Sequence, residues 1–262
     1  MSAKLPADIG DQTKAVHAGE TPDPVTRASA PGIVMSTTFT VSAGTAFSAE
    51  AADGDAFVYT RWGNPTLAQL EEKLAALEGA EAALTFASGM AAVSGLLLHL
   101  LRAGDHAIVS DVAYAALAEL TNDLLPSLGI RITKVNTADL DELRRAARPE
   151  TKLIYVETPC NPLLRLTDLA AVVDLARRVG ARLAVDSTFA TPAATKPLTL
   201  GADFVIHSLT KYLGGHGDAL GGAVLGRRAD LAALRKQSGI HLGGTLSPFN
   251  AWLIMRGLAT FP

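Results

Sequence analysis

Short apolar runs alternate with stretches of helical periodicity over most of the chain after Ala82, and this alternation constrains the fold more than any other feature. Six of the runs are typical of buried strands, and they cover residues 83–86, 107–109, 130–132, 153–156, 183–185 and 204–206. Strands that alternate with helices indicate βαβ units, in which a mostly parallel sheet is covered on both faces. The pattern therefore predicts an α/β fold.

Two of the intervening stretches carry clear helix signals. Asn64 is a capping residue, Pro65 suits a first helical turn, and Gly79 follows as the stop. Residues 168–179 have the same pattern and are followed by Gly180. Both stretches are therefore predicted to be helices.

The composition excludes several classes of function. The chain has 262 residues, which suffices for one large domain or one and a half. A formal net charge of −3 offers no basic surface to a phosphate backbone, so we expect no nucleic-acid partner. Cys160 is the only cysteine, which excludes an internal disulfide and a cysteine-based zinc site. Because His207, His216 and His241 lack metal-ligand spacing, no metal site is predicted.

The sequence contains no evident targeting or membrane segment. Residues 1–20 include several charged side chains and lack the apolar centre of a signal peptide. The longest apolar stretch, 91–101, is interrupted by Ser94, Gly95 and His99 and is too short to cross a bilayer. We therefore expect a cytoplasmic protein without a membrane partner.

Lys211 is the centre of the most informative group of polar residues. Ser208 and Thr210 precede it, and Asp186 ends an apolar run upstream. A lysine amine condenses with an aldehyde once its surroundings lower its pKa, and a carboxylate that pairs with the pyridinium nitrogen lets pyridoxal phosphate (PLP) accept electrons. Hydroxyls donate hydrogen bonds to phosphate oxygens. We therefore predict a PLP site, although Asp186 alone is equally typical of a turn or a helix cap.

Ser88, Gly89 and Met90 follow the first predicted strand and open the next predicted helix. In this context the free backbone amides and the helix dipole hold a phosphate. A small turn before a helix is more often only a cap, so the phosphate interpretation depends on its combination with Ser208, Thr210 and Lys211.

Four other polar residues have both a functional and a structural interpretation. Tyr59 and Arg61 are two residues apart, so in an extended segment they point to one side as phosphate ligands, although such a pair is more often solvated surface. Tyr114 could stack on a planar ring and carry a proton, or simply pack at a helix start. Asn161 precedes a proline and is either a turn residue or a donor to the phenolic oxygen of the cofactor.

The chain divides into three predicted parts. Residues 1–60 have no strong period and are expected to form an extended arm that makes subunit contacts. Residues 61–246 carry the alternating pattern and are expected to form the PLP-binding α/β domain. Residues 247–262 are interpreted as the start of a linker helix that leads toward a further domain.

Five segments together resemble the Cys/Met-metabolism, or trans-sulfuration, family of PLP-dependent enzymes. This family includes cystathionine γ-lyase, methionine γ-lyase, cystathionine γ-synthase and the homoserine-ester sulfhydrylases. The segments follow the family's order between about Thr13 and Phe261, and they cover residues 59–66, 87–90, 157–162, 186–192 and 207–216.

The resemblance implies an aspartate-aminotransferase-like, type I architecture and a homotetramer built as a dimer of dimers. It makes Lys211 the Schiff-base lysine, Asp186 the partner of the pyridine nitrogen and Tyr114 the residue that stacks on the ring. The remaining implied roles are phosphate binding by Ser88, Gly89, Met90, Ser208 and Thr210, phosphate binding across the dimer interface by Tyr59 and Arg61, and a contact of Asn161 with the phenolic oxygen.

The reaction that the resemblance implies is γ-elimination from a sulfur amino acid, cystathionine or methionine. Lys211 would leave its aldimine and remove the Cα proton, and Tyr114 would assist the departing group. The alternatives are γ-replacement, as in cystathionine γ-synthase or an O-acyl-homoserine sulfhydrylase, and a truncated, catalytically weak PLP-binding protein. Ala115 and Ala116 depart from the methionine γ-lyase pattern, and Ser187 replaces the usual asparagine. Gly217 points the other way, because the synthases and cystathionine lyases mostly have serine there. We slightly favour a γ-lyase over a synthase.

Members of this family continue into a small C-terminal domain that supplies the arginine for the substrate carboxylate. We expect this domain to be absent here, so no residue is assigned that role. A generic α/β nucleotide-binding domain is disfavoured, because no glycine-rich loop with a later acidic ribose partner follows the first strand.

Overall fold

The structure, a computed structural model, describes residue 6, residues 9–41 and residues 57–261. Seven strands are found in this part of the chain: β1 (Ala82–Phe86), β2 (His106–Ser110), β3 (Arg131–Val135), β4 (Thr151–Glu157), β5 (Arg182–Asp186), β6 (Phe204–Ser208) and β7 (Gly222–Gly226). The helices of the same ranges are α1 (Asp11–His17), α2 (Pro65–Glu78), α3 (Gly89–Leu100), α4 (Ala115–Glu119), α5 (Leu125–Ser127), α6 (Leu140–Ala146), α7 (Leu169–Val179), α8 (Thr191–Ala194), α9 (Pro197–Leu200), α10 (Arg228–Leu234) and α11 (Pro248–Leu258). Two π-helical stretches, Leu120–Leu124 and Arg235–His241, continue α4 and α10.

The chain forms two compact units. The central unit is Leu96–His207, and the terminal unit combines the described residues of Met1–Gly95 and Ser208–Pro262. The chain passes from one unit to the other within α3 and at the end of β6.

The central unit contains five parallel strands in the order β6-β5-β4-β2-β3. The connection from β2 leads to β3 on one side, whereas the connection from β4 leads to β5 on the other. Open α/β sheets bind ligands at the carboxyl ends of strands where the order reverses in this way. The loops after β2 and β4 are therefore the positions at which a site is expected in this unit.

A hydrophobic cluster between the sheet and two helices holds the central unit together. Helix α7 packs on β4 and β5, and α6 packs on β3. The residues of the cluster are buried, as β strands covered by helices require, and they include Ile108, Val135, Leu143, Ile154, Val156, Leu169, Val172, Leu183 and Val185. These findings confirm the predicted α/β class with a mostly parallel sheet.

The terminal unit is built around the antiparallel pair of β1 and β7, in which Ala82 faces Gly226. Helix α2 packs on β1, and α11 packs on α2. The buried face of α2 carries the leucines at helical spacing, Leu67, Leu70, Leu74 and Leu77. Strand β7 was not predicted, because its apolar run, Ala223 to Leu225, is only three residues long and lies between glycines.

Helix ends agree closely with the sequence signals. Asn64 caps α2 through Thr66 N at 2.8 Å, Asp168 caps α7 through Ala171 N at 3.0 Å, and Ser247 caps α11 through Asn250 N at 3.1 Å. Gly79 and Gly180 end α2 and α7 in the left-handed conformation that favours glycine. These predictions are confirmed.

The predicted extended arm contains a helix. Helix α1 is held by the buried Lys73, whose ammonium donates to Ala15 O at 2.8 Å and Val16 O at 2.9 Å and pairs with Glu20 at 2.7 Å. The last carbonyls of a helix have no partner within it, so this tertiary contact stabilises a helix whose pattern is too short to recognise in the sequence. The three-part division of the chain stays a prediction, and residues 1–5, 7–8, 42–56 and 262 lie outside the described residues.

Candidate active site

Lys211 lies in the turn that follows β6, three residues after the strand ends. Its backbone amide donates to Ser208 O at 3.2 Å, and its carbonyl accepts from Gly215 N at 2.8 Å. Leu209 and Leu213 are buried on either side of it, while the Lys211 side chain is exposed. Two apolar anchors thus fix the turn and leave the amine accessible.

The turn between β1 and α3 packs tightly against the end of β6 and the start of β7. A Cβ added to Gly89 would lie 3.0 Å from Ser208 Cβ and 3.1 Å from its Oγ. A Cβ added to Gly222 would lie 2.2 Å from Ser88 O, which is closer than real Cβ contacts come. The predicted phosphate ligands Ser88, Gly89 and Ser208 are therefore brought together, and glycine is what permits it.

The first turn of helix α3 directly follows Ser88. It begins at Gly89, and the Ser88 hydroxyl accepts from Ala91 N at 3.0 Å. The amides of a first helical turn have no carbonyl partner within the helix, and the helix dipole favours an anion near them. The backbone of Gly89 and Met90 therefore suits a phosphate.

The Thr210 hydroxyl is bonded to the backbone of Gly221. Its oxygen lies 3.2 Å from Gly221 O, to which it donates, and 3.2 Å from Gly221 N, from which it accepts. A hydroxyl has one proton to donate. Thr210 would have to exchange its bond to Gly221 O for one to a phosphate, whereas the amides of α3 would not.

Tyr59 pairs with Thr38 in an isolated β-bridge, but the chain turns directly after it, so Tyr59 and Arg61 do not share one extended segment. Residues 59–63 turn, with Trp62 N and Gly63 N both bonded to Tyr59 O. The Arg61 guanidinium lies 5.3 Å from the centre of the Tyr59 ring and donates to Ile240 O at 2.5 Å. The cation–π contact still brings the two side chains together, and their predicted role across a subunit interface stays a prediction.

In the central unit, Asp186 ends β5 as predicted, with a defined set of donors. Tyr155 OH donates to its Oδ2 at 3.2 Å, and Thr188 N donates to its Oδ1 at 3.0 Å. The Tyr155 side chain is fully buried, and burial together with Asp186 and Glu157 raises the pKa of its phenol well above the usual range. Tyr155 therefore stays a neutral donor that orients the carboxylate.

Tyr114 and Asn161 follow β2 and β4, the two strands at which the sheet order reverses. Tyr114 caps α4 without a side-chain hydrogen bond, and half of its surface is exposed. Its phenol is thus available to a ligand. Asn161 is half-buried in the loop after β4.

Glu157 is the site residue that the sequence interpretation missed. It is 6% exposed, and its two carboxylate oxygens accept from Tyr114 N at 2.9 Å and Asn161 N at 2.7 Å. Burial and the neighbouring charge of Asp186 raise its pKa to about 7. The available signal was its position, because an acidic residue at the carboxyl end of a strand precedes Asn161 in the same loop.

The candidate residues of the terminal unit and those of the central unit, considered separately, each suit a part of PLP. The terminal unit offers an exposed lysine, which suits an aldehyde, and a turn packed through Gly89 at the start of a helix, which suits a phosphate. The central unit offers an oriented carboxylate and an exposed phenol, which suit a pyridinium nitrogen and an aromatic face.

Other site types are not found in the described part of the chain. No group of three or more His, Cys, Asp or Glu residues there could hold a metal ion. The helices found between residues 9 and 261 are all too short or too polar to cross a membrane.

Comparisons with known proteins agree with these features. The family of Cys/Met-metabolism PLP-dependent enzymes matches residues 12–262. Canavanine gamma-lyase from Pseudomonas canavaninivorans is 43% identical over 98% of this chain and 64% of its own length. Cystathionine gamma-synthase from Mycobacterium bovis is 43% identical over 96% of this chain and 63% of its own length.

A solved structure shares the fold. Cystathionine gamma-lyase from Lactobacillus plantarum, crystallised with L-serine, has a TM-score of 0.88 and 38% identity over 97% of this chain and 64% of its own. The chain thus spans less than two thirds of the length of each of these three proteins.

Proposed function

This chain belongs to the family of Cys/Met-metabolism PLP-dependent enzymes, and we propose that the protein is a lyase that eliminates the γ-substituent of an amino acid. The observation that carries the proposal is the packing of Gly89 against Ser208, three residues before Lys211. This packing supports a phosphate site close in the chain to Lys211, whose side chain is exposed. Activity at the γ-carbon is common to the printed names of the relatives.

The roles of the residues follow from their chemistry. The amides of Gly89 and Met90, with Ser88 and Ser208, would bind the phosphate, while Asp186 would bind the pyridinium nitrogen and Tyr114 would lie on the ring. Bound PLP supplies the electron sink that makes the substrate Cα proton acidic. Lys211 would hold and move that proton, and the Tyr114 phenol would donate a proton to the leaving group.

The substrate class has two candidates. The sequence resemblance favours a sulfur amino acid such as cystathionine or methionine. The similarity to canavanine gamma-lyase supports a substrate whose γ-substituent is not attached through sulfur, although cystathionine gamma-lyase and L-methionine gamma-lyase are as similar to this chain. Gamma-replacement, supported by the similarity to cystathionine gamma-synthase, is the alternative reaction.

We further propose that the protein is a cytoplasmic homo-oligomer in which Tyr59 and Arg61 reach the phosphate of a neighbouring subunit. The support is that the two side chains contact each other and that Arg61 is exposed. Mixing Arg61→Ala chains with Lys211→Ala chains tests it. About a quarter of the wild-type activity should return, because half of randomly paired dimers would carry one intact site.

The experiment that tests the activity uses the full-length protein with PLP. L-Cystathionine, L-methionine and L-canavanine are each supplied, and release of 2-oxo acid is measured alongside the visible absorbance of the bound cofactor. Lys211→Ala should abolish both the yellow absorbance and the product, whereas Lys152→Ala, an exposed lysine on β4, should change neither.

The same assay separates the alternatives. If 2-oxo acid is released from L-canavanine alone, the substrate is not a sulfur amino acid. If a thioether forms only when a thiol and a homoserine ester are added, the reaction is γ-replacement. A wild-type protein that binds no PLP would refute the proposal.

A further inference from the structure

The Glu157 carboxylate connects two loops that carry predicted cofactor ligands. Glu157 is the last residue of β4, and its Oε2 and Oε1 accept from the backbone amides of Tyr114 and Asn161. One amide lies 43 residues before it and the other four residues after it. Each oxygen therefore holds a different loop.

These two loops leave neighbouring strands in opposite directions. The connection after β2 runs to β3, and the connection after β4 runs to β5, on the other side. The strand ends themselves are tied by Glu157 N, which donates to Ser110 Oγ at 3.3 Å. Beyond the strand ends, the Glu157 side chain bonds to the backbone of both loops, which are also joined at their surface by the ion pair of Arg165 with Asp111.

The surroundings of Glu157 act on its pKa in opposite directions. Burial and Asp186, its register partner on β5, raise its pKa, and the amides of Asn161 and Tyr114 lower it. A carboxylate can accept at both oxygens, and each oxygen of Glu157 has one backbone amide as donor. A glutamine side chain has the same size as glutamate but only one acceptor oxygen. In Glu157→Gln, the NH2 group would therefore face one of the two backbone N–H groups.

We propose that Glu157 is a positioning residue that fixes the backbone of Tyr114 and Asn161, and through it the places of the Tyr114 ring and the Asn161 amide at the cofactor. The proposal rests on the proposed function, in which these two side chains contact PLP. It does not require Glu157 to touch the cofactor or the substrate.

The test compares Glu157→Gln and Glu157→Ala in the full-length holoenzyme. Hydrogen exchange on peptides that contain Tyr114 and Asn161 should be at least about tenfold faster at one of the two amides in Glu157→Gln and at both in Glu157→Ala. The visible circular dichroism of bound PLP, which reports the asymmetry around the ring, should decrease. A ring partner misplaced by about 1 Å should lower kcat by up to about 100-fold, with a smaller change in KM.

Glu142→Gln is the matched control, because the Glu142 carboxylate accepts a single amide, Asn136 N at 3.2 Å, in the same unit. It should leave the exchange at Tyr114 and Asn161 and the dichroism of PLP unchanged. The isosteric Glu157→Gln keeps the test decisive if Glu157→Ala does not fold.

Two results would overturn the proposal. Unchanged exchange at both amides in the Glu157 variants would show that Glu157 does not hold the two loops. Faster exchange with unchanged dichroism and kcat would show that its bonds to the loops position nothing at the cofactor. Failure of the proposed function can be told apart from failure of this proposal. It would appear as a wild-type protein without PLP, in which amide exchange still reports the two bonds to Glu157.

Discussion

The two compact units hold their candidate site residues by different means. In the terminal unit, Gly89 lies so close to Ser208, and Gly222 so close to Ser88, that an added Cβ would be crowded at the first and would collide at the second. In the central unit, the carboxylates of Asp186 and Glu157 are held by a phenol and by backbone amides. The first arrangement depends on the absence of side-chain atoms, and the second depends on charge and hydrogen bonding. Mutations that change size and mutations that change polarity should therefore affect the two units differently.

The largest effect is expected from Gly222→Ala. Its Cβ would lie 2.2 Å from Ser88 O, which is backbone and cannot rotate away. Overpacking typically costs about 1–3 kcal/mol, and a backbone clash should reach or exceed the upper end. The measurement is the urea midpoint of unfolding together with PLP affinity. Gly239→Ala is the control, since its Cβ would be 3.7 Å from Arg235 Cγ, an ordinary contact. Equal midpoints for the two variants would show that the terminal unit does not depend on the absence of a side chain at Gly222.

The pH dependence of stability should depend on Glu157. Its pKa of about 7 in the folded protein lies above the ordinary value of 4.5, so the folded state binds more protons between these values. Its contribution to stability is therefore fully present below about pH 4.5 and is lost as the pH rises through about 7, a change of about 3 kcal/mol at most. The free energy of unfolding of Glu157→Gln, measured against wild type from pH 5 to pH 8, should increase relative to wild type as the pH rises. A difference that does not vary with pH would contradict the assigned shift.

Tyr155→Phe should have a smaller effect, because it removes one hydrogen bond and leaves the buried ring in place. Asp186 would lose the donor at its Oδ2 and keep Thr188 N at its Oδ1. The loss of a hydrogen bond to a charged group is worth about 1.5–3 kcal/mol in general, and the half-buried Asp186 can recover part of it from water, which places the expected loss near 1.5 kcal/mol. Thermal unfolding measures it, and weaker PLP binding should accompany it. A variant with wild-type PLP affinity would show that Tyr155 does not orient Asp186 for the cofactor.

The smallest effect is expected from Ser88→Ala, which removes the cap of α3. The lost bond is the one from Ala91 N to the Ser88 hydroxyl. N-cap replacements by alanine cost about 1 kcal/mol. Unfolding by urea should show this loss, and Ser247→Ala, which removes the corresponding cap of α11, should show a similar loss of stability without a change in PLP affinity. Equal PLP affinities for both variants would argue against Ser88 as a phosphate ligand.

Much of the fold could be predicted because its signals are local. The strand pattern, the cap at Asn64 and the place of Asp186 at the end of β5 each depend on a few neighbouring residues. The same holds for Lys211, whose turn directly follows β6. Strand β7 escaped prediction because its pairing with β1, and not its composition, identifies it.

The sequence by itself determined the α/β class, the main helix ends and the chemical types of the candidate site residues, because periodicity, capping and strand ends are properties of adjacent residues. The tertiary structure decided three further features. These are the close approach of Gly222 to Ser88, the turn that places Arg61 over Tyr59, and the bonds from Glu157 to the loops after β2 and β4. Contacts of this kind join residues whose separation along the chain is set by strand order and packing, so no local pattern encodes them.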